Sequence, residues 1–94
     1  MTEPITAGTV ARPHPGIIVQ PVPQGVLLLD MDSGEYFSLE ETGGRIWTLC
    51  DGVRTAEEVA GLLAQEYDVA VAVVREDVVE LLADMVGAGL LVLV

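Results

Sequence analysis

Apolar residues recur along this chain with two different periods, one suited to strands and the other to helices. Ile17 to Val22 is rich in β-branched residues and reads as a strand. Pro21 and Pro23 confine it to a sheet edge or to the end of a strand. Val26 to Asp30 is apolar up to its last residue, as expected of a central strand buried on both faces. Asp32-Ser33-Gly34 supplies a turn, with Gly34 free to take positive φ. Glu35 to Leu39 then alternates, placing Phe37 and Leu39 on one face and Tyr36 and Ser38 on the other. A meander of these three strands leaves Glu35 to Leu39 as an open edge, a liability unless a partner fills it.

From Glu41 onward the period lengthens. A helix is expected over Glu41 to Cys50, with Ile46 and Leu49 on its inner face, Trp47 adding bulk nearby, and Gly52 as a C-terminal stop. Thr55-Ala56-Glu57-Glu58 is a capping box that opens a second helix reaching Glu66, with Val59, Leu62 and Leu63 inward. A third helix is expected over Val71 to Val86. Its apolar residues, Val71, Val74, Val78, Val79, Leu81, Leu82, Met85 and Val86, span an arc of about 160°, against the roughly 100° that a surface helix needs. The excess width implies either contact with the core and with something beyond it, or a helix wedged between the sheet and the first two helices. Gly87 and Gly89 end this helix, after which Leu90 to Val94 adds a short strand or folds back.

Met1 to Gly16 holds three of the five prolines and no apolar period, and reads as a flexible arm before a domain spanning residues 17–94. At 94 residues, 51% of them hydrophobic, the chain supports one globular core. It contains no apolar run long enough to span a membrane. The single cysteine and the lack of a signal-like start are the pattern of a cytoplasmic protein. Charge sharpens the picture, with 15 acidic residues against four arginines, no lysine and a net charge of −11. Such a chain repels phosphate backbones, which argues against nucleic acid as a partner and favours cationic peptides or proteins.

No catalytic constellation is visible. One histidine and one cysteine, 36 residues apart, make no metal site, and no cofactor motif follows a strand. Cys50 lacks a histidine base, and the carboxylate pairs Glu40-Glu41 and Glu57-Glu58 sit at helix N-termini, where the helix dipole explains them. Gly43-Gly44 lacks the cation of a phosphate cradle. An acidic chain of this size also suits a carrier protein with a phosphopantetheinylated serine. The candidate Ser33, however, falls in a hairpin turn rather than at a helix start.

The run GEYFSLEETGGRIWTLCDGVRTAEEV, continued by LLAQEYDV and EDVVELLADMVGAGLL, resembles the PqqD-like family of RiPP recognition elements, over about Ile17 to Leu91. The steps Thr42-Gly43, Ile46-Trp47, Asp51-Gly52 and Arg54-Thr55 carry the resemblance. It implies an α+β, winged helix-turn-helix-like fold, with a three-stranded antiparallel sheet followed by three helices. It also implies a non-enzymatic role: binding the leader of a ribosomally made precursor peptide by strand addition and presenting it to another enzyme. That enzyme is a leader peptidase in lasso-peptide-type pathways, the favoured reading because the hairpin is short, or a radical SAM enzyme in PQQ biosynthesis. A DNA-binding winged helix is the alternative that the charge disfavours. Carried over by position, the peptide-binding candidates are Glu35, Tyr36, Phe37, Ser38 and Leu39 on the strand. On the third helix they are Val74, Asp77, Val78, Leu81 and Met85. Two departures from the family pattern stand out: Glu40 replaces the common Asn before the first helix, and Ala70 replaces a polar cap before the third.

Overall fold

The computed structural model describes residues 4–94. In chain order the elements are β1 (Ala11–Pro13), β2 (Ile17–Val22), β3 (Gly25–Asp30), β4 (Tyr36–Glu40), α1 (Thr42–Leu49), α2 (Ala56–Tyr67), α3 (Val71–Gly87) and β5 (Leu91–Leu93). β2, β3 and β4 form an antiparallel meander with β3 in the centre, while β1 and β5 pair in a separate two-stranded ribbon. The three-stranded sheet followed by three helices is the architecture that the sequence pattern predicts.

The β3–β4 turn is held by its own side chains. Asp30 Oδ1 accepts hydrogen bonds from the N–H groups of Asp32 and Ser33, and Gly34 sits at φ +77°. Ser33 Oγ accepts from Glu35 N–H, so this serine belongs to a turn and not to a helix start. β3 is less enclosed than its apolar run suggests. Val26 and Leu28 are buried against the helices, whereas Leu27 and Leu29 are only half-buried on the outer face. The helices cover just one side of the meander, so the outer side has no layer to bury it.

Two glycines set α1 close against the sheet. A Cβ on Gly25 would stand 1.9 Å from the Leu39 carbonyl oxygen, and one on Gly44 would stand 3.1 Å from Gly25 Cα. Backbone therefore packs on backbone where α1 leaves the sheet. Glu41 is the N-cap residue of α1; it lies at φ 50°, ψ −116° and makes no side-chain cap. α2 opens with the predicted box: Thr55 Oγ1 accepts from Glu58 N–H, and Glu58 Oε1 accepts from Thr55 N–H.

The core gathers Val26 and Leu28 of β3, Ile46, Trp47 and Leu49 of α1, Val59 and Leu63 of α2, and Val74, Val78, Leu82 and Met85 of α3. Leu62, expected inward, is exposed, and the smaller Ala60 takes the inner position. With Ala56 and Ala60 on its buried face, α2 lies close to its neighbours without needing Leu62.

The N-terminal segment departs most from the sequence reading. Met1 to Glu3 lie outside the described residues, but the rest of the expected flexible arm is bound into the fold. Ala11 is buried and pairs with Leu93 in the β1–β5 ribbon. Upstream, the carbonyls of Thr9 and Ala7 accept from the N–H groups of Ala56 and Glu57, at 2.8 and 2.9 Å. The segment thus completes the cap of α2, satisfying two first-turn donors that the Thr55–Glu58 box does not reach.

Candidate functional site

An antiparallel strand directs the N–H and C=O of successive residues to opposite sides, and this decides what each edge of the sheet presents. Asp30 N–H donates to the Glu35 carbonyl, and Glu41 N–H donates to the Gln24 carbonyl. With the β3–β4 register Leu28↔Phe37 and Val26↔Leu39, Phe37 and Leu39 spend their main-chain groups on β3. Tyr36, Ser38 and Glu40 point theirs outward, where no main-chain partner among the described residues receives them. β4 therefore offers a run of three open residues.

The opposite edge is closed by comparison. On β2 the outward positions are Ile17, Val19 and Pro21, given the register Ile18↔Leu29 and Gln20↔Leu27. Ile17 N–H donates to the His14 carbonyl. Pro21 has no N–H, and its carbonyl accepts from the Gln20 side chain. Only Val19 keeps both groups open, too little to template a strand.

Side chains around β4 form a trough. Phe37 and Leu39 are half-buried on the helix side of the sheet, while Tyr36, Ser38 and Glu40 are exposed on the outer side. A Cβ on Gly43 would lie 3.8 Å from both the Leu39 side chain and Leu81 Cδ2. Gly43 is thus the floor between a strand wall at Leu39 and a helix wall at Leu81.

The rotation of α3 settles which flank of its wide apolar stripe meets that trough. On the far flank Arg75 forms a two-bond ion pair with Glu57 of α2, so this side is turned to α2. Leu81 lies on the near flank, with exposed Asp77 four residues before it and exposed Asp84 three after it. Of the helix candidates, Leu81 lines the trough, and Asp77 lies exposed on the same helix face four residues before it. Val74, Val78 and Met85 do not line it, being 7%, 0% and 2% exposed and packed inside the core beneath it. The centre of the wide apolar stripe is taken up by the core itself. Glu35 also falls away as a main-chain partner, since its carbonyl is committed to Asp30. Around the trough the structure also places Glu40, outward on β4, Gly43 at the floor and Asp84 on the Leu81 face of α3, none of them among the sequence candidates. The signal for Asp84 was present, three residues after Leu81, whereas Gly43 is placed only by tertiary contact.

Cys50 is buried, and burial, with Asp51 adding a smaller push, raises its thiol to about 11. Arg45 pairs with Glu66 through two hydrogen bonds, lowering the Glu66 carboxyl and raising the guanidinium. Among the described residues no group of three potential ligands gathers for a metal ion, and no helix is long and apolar enough to cross a membrane. A cavity of about 640 Å³ opens on the other side of α1, between the β2–β3 turn, Arg45 and Tyr67, away from the trough.

The family model of coenzyme PQQ synthesis protein D (PqqD) matches residues 25–91, from β3 through the start of β5. The chain belongs to the PqqD family. Among solved structures, TbiB1 in complex with the TbiA(beta) leader peptide is 28% identical, with 85% of this chain and 93% of that one covered and a TM-score of 0.78. A lasso peptide synthetase B1 complexed with its leader peptide is 29% identical, covering 87% and 96%, with a TM-score of 0.79. The solution structure of the PqqD truncation of Methylobacterium extorquens PqqCD, a stand-alone RiPP recognition element, shares the fold at 23% identity, with 94% of each chain covered and a TM-score of 0.79. None of the curated proteins matches the chain. The match takes in β4 and α3, the two walls of the trough, and omits β1 and β2.

Proposed function

We infer that this PqqD-family protein binds the leader segment of a ribosomally synthesised precursor peptide as an added strand on β4, and presents it to a separate enzyme. The observation that carries this reading is the β4 edge: Tyr36, Ser38 and Glu40 hold outward main-chain groups open beside an apolar trough. Strand addition draws affinity from such main-chain bonds and specificity from pockets for alternate side chains, which Leu39, Gly43 and Leu81 provide. The two lasso-type structures with bound leaders, similar over most of their length, support the same class of ligand. They also favour a lasso-type pathway, with a leader peptidase as the receiving enzyme, over delivery to a radical SAM enzyme. The protein acts here as a binder and not as a catalyst.

Fluorescence anisotropy with the labelled leader of a precursor encoded beside this gene tests the reading. Saturable binding is expected in the micromolar range or tighter, about −8 kcal/mol or beyond. Absence of binding to every neighbouring precursor contradicts it. A duplex DNA probe in the same assay is expected to stay unbound, because the net charge of −11 opposes phosphate.

A further inference from the structure

The α3 wall beside β4 carries two carboxylates that no cation among the described residues neutralises. Asp77 and Asp84 stand on either side of Leu81 at spacings of four and three residues, which places all three on one helix face. Both carboxylates are exposed, and neither takes part in an ion pair among the described residues. The protein has only four cationic side chains, all arginines. Arg45 is held by Glu66, Arg54 by Asp51 and Arg75 by Glu57. Arg12 lies on β1, its side chain against Gly52. Arg75, the one cation on α3, is turned away from the trough toward α2. The wall that a peptide meets is therefore apolar at its centre and anionic at both ends.

A strand added to β4 covers this wall and removes water from it. Partial desolvation makes an unpaired carboxylate more costly and a paired one more favourable. A neutral occupant leaves Asp77 and Asp84 without partners as water withdraws, and an acidic one adds like-charge repulsion. A basic occupant turns both carboxylates into contacts. Resting on the strand-addition reading above, we infer that the ligand of this edge is a basic peptide. It places an apolar side chain against Leu39 and Leu81, with Lys or Arg on either side to meet Asp77 and Asp84.

Selection from a displayed library of randomised 12-residue peptides on the immobilised protein tests this without knowledge of the natural ligand. The expected result is enrichment of an apolar residue flanked by Lys or Arg. The same selection on Asp77→Asn/Asp84→Asn should keep the apolar residue and lose the basic ones. A selected basic peptide should bind this variant about three- to tenfold more weakly, and lose much of the difference in high salt. Enrichment without cations, or the same basic preference on the double variant, overturns the inference while leaving strand addition standing. Ser38→Pro, which removes the central outward N–H, separates the two claims. Selected peptides that bind it undiminished contradict strand addition itself.

Discussion

At the scale of single residues, one strained backbone position stands where β4 meets α1. Glu41 holds φ 50°, ψ −116°, a region that a residue with a side chain enters only under strain. It gives no side-chain cap in return. Glu41→Gly is expected to raise stability by about 1 kcal/mol, the relief of strain outweighing the added freedom of the unfolded chain. Thermal unfolding followed by Trp47 emission reads this as a gain of roughly 4–8 °C. Trp47 is 3% exposed in the core, so its emission reports unfolding. Cys50 gives a pH signature. Its folded thiol is raised to about 11 from an ordinary value of 9.0. Below pH 9 both folded and unfolded chains keep the proton, and the stabilisation is fully present. Between pH 9 and 11 the unfolded thiol ionises while the folded one does not, so stability falls by up to about 1.4 kcal/mol per pH unit. Denaturant titrations across that range should show the decline, and Cys50→Ala should remove it.

At the scale of elements, what was legible in the sequence was what short-range chemistry determines. The Thr55–Glu58 box, the Gly34 turn and the alternation of β4 each depend on residues within a few positions, and each appears where expected. β1 was not legible. Ala11-Arg12-Pro13 has no apolar period, and its partner, Leu91 to Leu93, lies some 80 residues away. The α3 stripe was legible as a width but not as a rotation, because the Arg75–Glu57 pair and the Leu81–Gly43 contact that fix its rotation are tertiary. The candidate strand was likewise found as a segment, while the division between outward Tyr36, Ser38 and Glu40 and inward Phe37 and Leu39 needed the register. That division makes Ser38→Pro a sharp test. β2 already carries Pro21 at an outward position, so the sheet tolerates proline there. Ser38→Pro is expected to leave the far-ultraviolet dichroism and melting point near wild type, while leader binding falls at least tenfold, as loss of an edge hydrogen bond and steric exclusion of the added strand act together. Unchanged affinity contradicts the proposed mode.

At the scale of the whole molecule, the two edges of the β2–β3–β4 meander differ, and the charge distribution favours one kind of occupant. β2 is blunted by Pro21, by the His14 carbonyl and by the Gln20 side chain; β4 is left free next to the α3 wall. The strongly acidic surface disfavours nucleic acid and favours the approach of a cationic chain. The central claim, that a peptide strand adds to β4, has a direct readout in amide hydrogen exchange measured residue by residue with and without the leader peptide. The predicted result is new protection at Tyr36, Ser38 and Glu40, with little change at Phe37 and Leu39, whose amides already bond to β3. Saturating leader that leaves Tyr36, Ser38 and Glu40 exchanging as fast as in the free protein would contradict the account.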